Sequence, residues 1–186
     1  MTIYYDLRKK RIIPDQDAEV DHGINAMEFL GAAFSPKNVK EHLVTLSGAP
    51  DWEVIFWKWD TFKLLARIKL NVASPDLDPK SFTISMMTSV TSGLKVVVTG
   101  EQTYRFMQVS SDLHTLEVLQ DELAAEAPDG HEISKHYTVH TWTKDQVRLM
   151  VCTIEGDILL ANDKGEFIRY IEDSPYGTAI HTMFSF

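Results

Sequence analysis

Between residues 62 and 72 the chain alternates strictly: Phe62, Leu64, Ala66, Ile68, Leu70 and Val72 are interleaved with Lys63, Leu65, Arg67, Lys69 and Asn71. Side chains on an extended strand point to alternate faces, so this segment predicts a strand with one face in the core and one in water. Phe82, Ile84, Met86, Thr88 and Val90 repeat the pattern, and residues 94–99 and 103–109 continue it across a Gly100-Glu101 turn. Further strands are expected at 136–143, 147–154, 157–162, 166–172 and 178–185. Glu155-Gly156 and Asp163-Lys164-Gly165 supply tight hairpin connections. Short connections of this kind favour antiparallel neighbours.

Three segments carry helical spacing instead. Ser35-Pro36 reads as an N-cap followed by proline in the first turn, then Val39, Leu43 and Leu46, with Ser47-Gly48 and Pro50 as the stop. Leu113, Leu116, Leu119 and Leu123 predict a second helix over residues 112–127, closed by Pro128-Asp129-Gly130. A weaker pattern over 24–33 is interrupted by Gly31. The expected fold is therefore α+β, mainly antiparallel sheet with two or three packed helices. It forms a single domain over residues 1–186, with a helix-then-strands order that suggests two halves, 1–110 and 111–186.

Composition narrows the class. The chain has 186 residues, 44% hydrophobic, with 18 Lys+Arg against 27 Asp+Glu for a net charge of −9. That balance argues against broad nucleic-acid binding, whose affinity comes from Lys and Arg on phosphates. No stretch approaches the ~18 apolar residues of a membrane helix, and the first residues have no apolar core of a secretion signal. The single cysteine, Cys152, lies in an apolar run and reads as a small buried hydrophobe. Together these features point to a soluble cytoplasmic protein.

Candidate chemistry begins with the histidines. His136 and His140 are four residues apart, the spacing of a zinc-binding helix, but they sit in a β-branched, aromatic run. On a strand they lie about 13 Å apart, against zinc–nitrogen bonds of about 2.1 Å. They are therefore expected as sheet-face histidines, and no metal or cofactor is assigned. His136-Tyr137-Thr138-Val139-His140-Thr141-Trp142 resembles the segment around the processing site of bacterial S-adenosylmethionine decarboxylases, which make a pyruvoyl group from an internal serine. The resemblance implies a serine directly before this run and a catalytic cysteine beyond it. Those positions here hold Lys135 and Glu155, and lysine cannot replace the hydroxyl that attacks the backbone. The residues that perform the chemistry are missing, so no activity carries over.

Charge distribution says more. Asp112, Glu117, Asp121, Glu122, Glu126, Asp129 and Glu132 follow one another with no Lys or Arg between them. A solvated acidic face would look like this, and so would a docking surface for a basic protein. Arg8-Lys9-Lys10-Arg11, followed by Asp15, Asp17, Glu19 and Asp21, suggests local pairing or self-association into a homo-oligomer. Trp52, Phe56, Trp57, Trp59 and Phe62 crowd together, and alternation sends Trp57 and Trp59 to the face opposite Trp52 and Phe56. Such rings usually fill a core; where one face stays open they meet a partner.

The expected function is a non-enzymatic acidic binding or inhibitory protein engaging a basic protein partner. Its profile matches immunity proteins and virus-encoded inhibitors as a class. The partner-contact residues are Glu117, Asp121, Glu122, Glu126, Trp57 and Trp59. The alternative is a small enzyme or ligand-binding protein with a sheet-lined pocket using His136, His140 and Glu155.

Overall fold

A computed structural model describes residues 2–4, 11–13, 28–36, 41–61, 63–72, 77–89, 93–171 and 177–183. The basic cluster at Arg8, Lys9 and Lys10, the acids Asp15, Asp17, Glu19 and Asp21, residues 37–40 and the turn at Ser174, Pro175 and Tyr176 lie outside these.

Strands dominate the described residues. A two-stranded pair, β1 (Thr2–Tyr4) and β2 (Arg11–Ile13), precedes three antiparallel sheets of four strands each. The first sheet is β3 (Phe29–Phe34), β4 (His42–Ser47), β5 (Glu53–Lys58) and β6 (Lys63–Lys69). The second is β7 (Thr83–Ser89), β8 (Gly93–Gly100), β9 (Thr103–Val109) and β10 (Leu116–Gln120). The third is β11 (Tyr137–Trp142), β12 (Leu149–Thr153), β13 (Ile158–Ala161) and β14 (Phe167–Tyr170). Each sheet is a meander in chain order, and their first strands begin at Phe29, Thr83 and Tyr137, 54 residues apart each time. The one short helical element among the described residues is a 3-10 turn, Pro79–Ser81, capped by the Asp78 carboxylate accepting from the Lys80 N–H at 2.9 Å.

The α+β expectation is thus overturned: the fold is all-β, and three repeated sheets replace the two helix-led halves. Residues 42–47 of the first predicted helix form β4, which is buried along its whole length. Leu43 joins Ile55 and Trp57 on one face of the sheet, while Val44 and Leu46 join Val54 and Phe56 on the other. A strand buried on both faces shows an unbroken apolar run, and its leucines fall at helical spacing by coincidence. The second predicted helix fails for a different reason: β10 is an edge strand, with Glu117 and Val118 exposed, and its leucines three apart point to opposite faces. Leu116 packs between the first two sheets and Leu119 between the second and third, on opposite faces of β10. Asp112 is a turn residue, its carboxylate accepting from the His114 N–H at 3.1 Å and the Ser110 hydroxyl at 2.5 Å. In the third, residues 29–33 belong to β3. Gly31 is there because Ile84 of β7 lies 2.8 Å from where a Cβ would sit.

The sheets stack face to face. Val44, Val54, Phe56 and Ala66 meet Met86, Val96, Val98 and Met107 in one core. Strand alternation turns Val97 and Phe106 the other way, onto Leu149, Val151, Leu159 and Ala161 of the third sheet. Cys152 is fully buried, and burial pushes its thiol up to about 12. The first strands β3, β7 and β11 are neighbours, so the sheets fan out around them.

Gly165, in the β13–β14 turn, shows how closely the second and third sheets approach. Its φ is +83°, and an added Cβ would stand 2.4 Å from the Phe106 ring. Gly165→Ala combines a left-handed backbone with overpacking, so the expected loss is about 2 kcal/mol or more. A shift of the urea midpoint measures it; an unchanged midpoint would mean the two sheets are looser than this contact implies.

Candidate functional site

Every four-stranded meander starts and finishes at the same end, so the links between sheets and the β4–β5, β8–β9 and β12–β13 turns gather there. Trp52, with φ +48°, packs on Phe82 with ring centroids 5.2 Å apart, joining the first sheet's turn to the start of the second. Glu101 bridges His136, and the Gln102 N–H donates to the Lys135 carbonyl at 2.9 Å, joining the second sheet's turn to the start of the third.

This end is acidic. Among the described residues its links and turns expose or half-expose Asp51, Asp78, Glu101, Asp121, Glu122, Glu126, Asp129, Glu132 and Glu155, against Lys80 and Lys135. Asp121 is paired with Arg105 at 3.3 Å and Glu122 with Lys135. Asp129 accepts from the His131 ring at 2.5 Å, which holds its carboxyl below the usual range. The predicted acidic residues are therefore divided. Asp121, Glu122 and Glu126 lie in the 121–136 link, whereas Glu117 is exposed on β10, opposite Gln108. What the sequence reads as one face of a helix is an extended edge strand followed by an irregular segment.

Beneath the link lies a polar network that anchors it. The fully buried Asp157 accepts from the Thr153 hydroxyl at 2.8 Å and from the Tyr170 hydroxyl and the His131 ring at 3.0 Å each. His131 thus lies between two carboxylates, and Asp129 first, then Asp157, raise its pKa. Nothing in the local sequence marks His131 as the residue that joins two carboxylates. The glycine turn before it, Gly130 with φ +79°, was the one local signal of a fixed position.

His140 occupies a second network, between the second and third sheets. Its Nε2 is 2.6 Å from the Ser85 hydroxyl and its Nδ1 2.7 Å from the Thr99 hydroxyl, while the Trp142 Nε1 donates to Ser85 at 3.1 Å. The residue is 5% exposed, and burial lowers its pKa to about 4. A neutral imidazole with both nitrogens engaged bridges the sheets and has no free position for a substrate. His136 is half-buried at the start of β11, and Glu155 is exposed in the β12–β13 turn.

The two tryptophans separate as well. Trp57 is completely buried, its Nε1 donating to the Thr45 hydroxyl at 2.9 Å, and so belongs to the interior. Trp59 is half-buried and meets Phe34 edge-on, with ring centroids 5.5 Å apart. Trp57 and Trp59 do share the face opposite Trp52 and Phe56.

Two hollows open around the acidic link. One, about 750 Å³, runs between residues 126–128 and Phe167, Arg169, Tyr170 and Ile171. The other, about 210 Å³, is lined by Gln102, Tyr104, Asp121, Glu122, Lys135 and Tyr137.

No protein-family model matches the chain, and no curated protein matches it in sequence. Among solved structures it is similar to the β-propeller domain of Cps50 (Swd1) from Myceliophteria thermophila, with a TM-score of 0.53 and 11% identity over 82% of this chain and 43% of that one. BamB from Moraxella catarrhalis aligns with a TM-score of 0.47 and 12% identity, over 75% of this chain and 36% of that one. The chain spans less than half the length of either structure. At such identity the first likeness establishes the fold alone: the three four-stranded sheets resemble successive blades of a β-propeller.

Proposed function

We propose that this chain is a non-enzymatic, protein-binding β-propeller module whose acidic end docks a basic protein. A fold of this kind hosts many functions, so the reading rests on the surface rather than on the architecture. The observation that carries it is that the described links and turns at one end of all three sheets carry nine surface carboxylates against two lysines. Charge of one sign gathered on one end produces a directed field that raises association rates with basic partners and repels acidic ones. The buried Asp157 network fixes the link that carries most of these carboxylates, so the surface is presented with little ordering left to do on binding.

The test uses Glu126, Glu132 and Glu155, which are exposed, all changed to Lys. The probe is a peptide of alternating arginine and glycine, with binding followed by fluorescence anisotropy at low and physiological salt. The native chain should bind with an affinity that falls steeply as salt rises. The triple variant should bind at least tenfold more weakly at low salt. Equal binding by the two proteins would remove the acidic end as a docking surface.

A further inference from the structure

Field strength brings basic groups to this end but does not choose among them; the 210 Å³ hollow has the chemistry to choose. We propose that it is an anchor pocket for one arginine side chain of the protein partner, an assignment that rests on the acidic end being a docking surface. Its volume equals roughly seven waters at liquid density, enough for one long side chain. Its floor is Tyr137, which is 3% exposed and whose hydroxyl makes no hydrogen bond with any described residue. A hydroxyl with no protein partner on the lining of a hollow bonds to whatever occupies that hollow, water or an incoming donor.

The remaining lining selects the group. Asp121 and Glu122 offer carboxylate oxygens, and Gln102 offers an amide carbonyl, so the acceptors surround the occupant. Arginine presents five N–H donors in a planar fork and stacks on aromatic faces; lysine presents a compact point charge. Tyr104 and Tyr137 are buried against each other, with ring centroids 6.0 Å apart, and give the hollow a rigid base, so selection between arginine and lysine comes from the arrangement of the acceptors. Lys135 holds Glu122 in the absence of a partner, but both side chains are more than half exposed, so the incoming guanidinium exchanges for it readily. Asp121 keeps its contact with Arg105 through one oxygen, and a carboxylate has further lone pairs to offer.

Titration of the isotope-labelled chain with the blocked tripeptide Gly-Arg-Gly, followed by amide chemical shifts, tests the assignment. Shifts should concentrate on Gln102, Glu122 and Tyr137, and the citrulline and lysine analogues should bind at least threefold more weakly. Tyr137→Phe should weaken arginine binding three- to tenfold with an unchanged thermal midpoint, because the lost hydroxyl has no described hydrogen-bond partner. Lys135→Gln should strengthen binding severalfold by releasing Glu122. Equal affinity for the arginine and lysine peptides, or for native chain and Tyr137→Phe, would overturn the pocket. If binding is then still lost on reversing Glu126, Glu132 and Glu155, the acidic surface stands without it; if that reversal is also silent, both readings fall.

Discussion

Trp57→Ala should destabilise the chain by about 4 kcal/mol, the range for emptying a large aromatic site in a packed core. Trp57 has no exposed surface and packs with Leu43 and Ile55 in the cluster on the first sheet's second face. Its loss also removes the donor for the buried Thr45 hydroxyl, adding the cost of an unmade hydrogen bond. Trp57→Phe keeps most of the apolar volume and should cost about 1–2 kcal/mol, which isolates that bond. Trp59→Ala removes only a half-buried ring lying edge-on to Phe34 and should cost about 1 kcal/mol. Urea unfolding of the three variants ranks them. If Trp57→Ala and Trp59→Ala lose the same small amount, Trp57 is not interior and its assignment to the core is wrong.

The strands were legible wherever one face is less buried than the other. Residues 63–69 and 83–89 keep enough alternation to be read, and the hairpins at Gly156 and Gly165 adopt positive φ, the backbone that their turn sequences imply. Legibility failed where strands are buried on both faces. In β4 every residue is buried, so period two vanishes and leucines three apart imitate a helix. Proline at 36 and the Ser47-Gly48 pair then look like caps, although Gly48 opens the β4–β5 turn within the first sheet, its N–H donating to the Glu28 carbonyl at 2.9 Å. The 54-residue repeat was invisible for a related reason. What recurs is strand order and inter-sheet packing, while the side chains differ: the first sheet contributes Val44, Val54 and Phe56 to its inter-sheet core and the third contributes Leu149, Val151 and Leu159 to the other.

The candidate site was legible in charge but not in geometry. The acidic stretch 112–132 is real, yet the structure sends Glu117 to an outer strand and its neighbours onto the link at the end of the sheets. Contributions from Asp51, Glu101 and Glu155 come from turns of three different sheets and have no sequence proximity to reveal them. Tyr137 was passed over inside the histidine run. Its importance is a matter of burial and a vacant hydrogen-bond position, and neither quantity is written in local sequence.

The second large effect concerns His140. Folded, it is neutral, held down to about 4 by burial, whereas in the unfolded chain it titrates near 6.5. Because the unfolded state takes up the proton first, the contribution is complete above pH 6.5 and is lost as pH falls toward 4, by about 3 kcal/mol in all. His131 has the opposite sign. Its pKa is raised by Asp129 and Asp157, so its contribution is complete below 6.5 and disappears as pH rises through the folded value. The two slopes place a stability maximum near pH 6.5. His140→Leu should remove the acid-side slope. At pH 7.5 it should also cost about 3 kcal/mol, since the Ser85 and Thr99 hydroxyls lose their partner between two sheets. Urea midpoints from pH 4.5 to 7.5 decide it. The native curve should bend down below 6.5 while the variant stays nearly flat. Parallel curves would mean that protonation of some other group drives acid unfolding and that His140 does not lock the second sheet to the third.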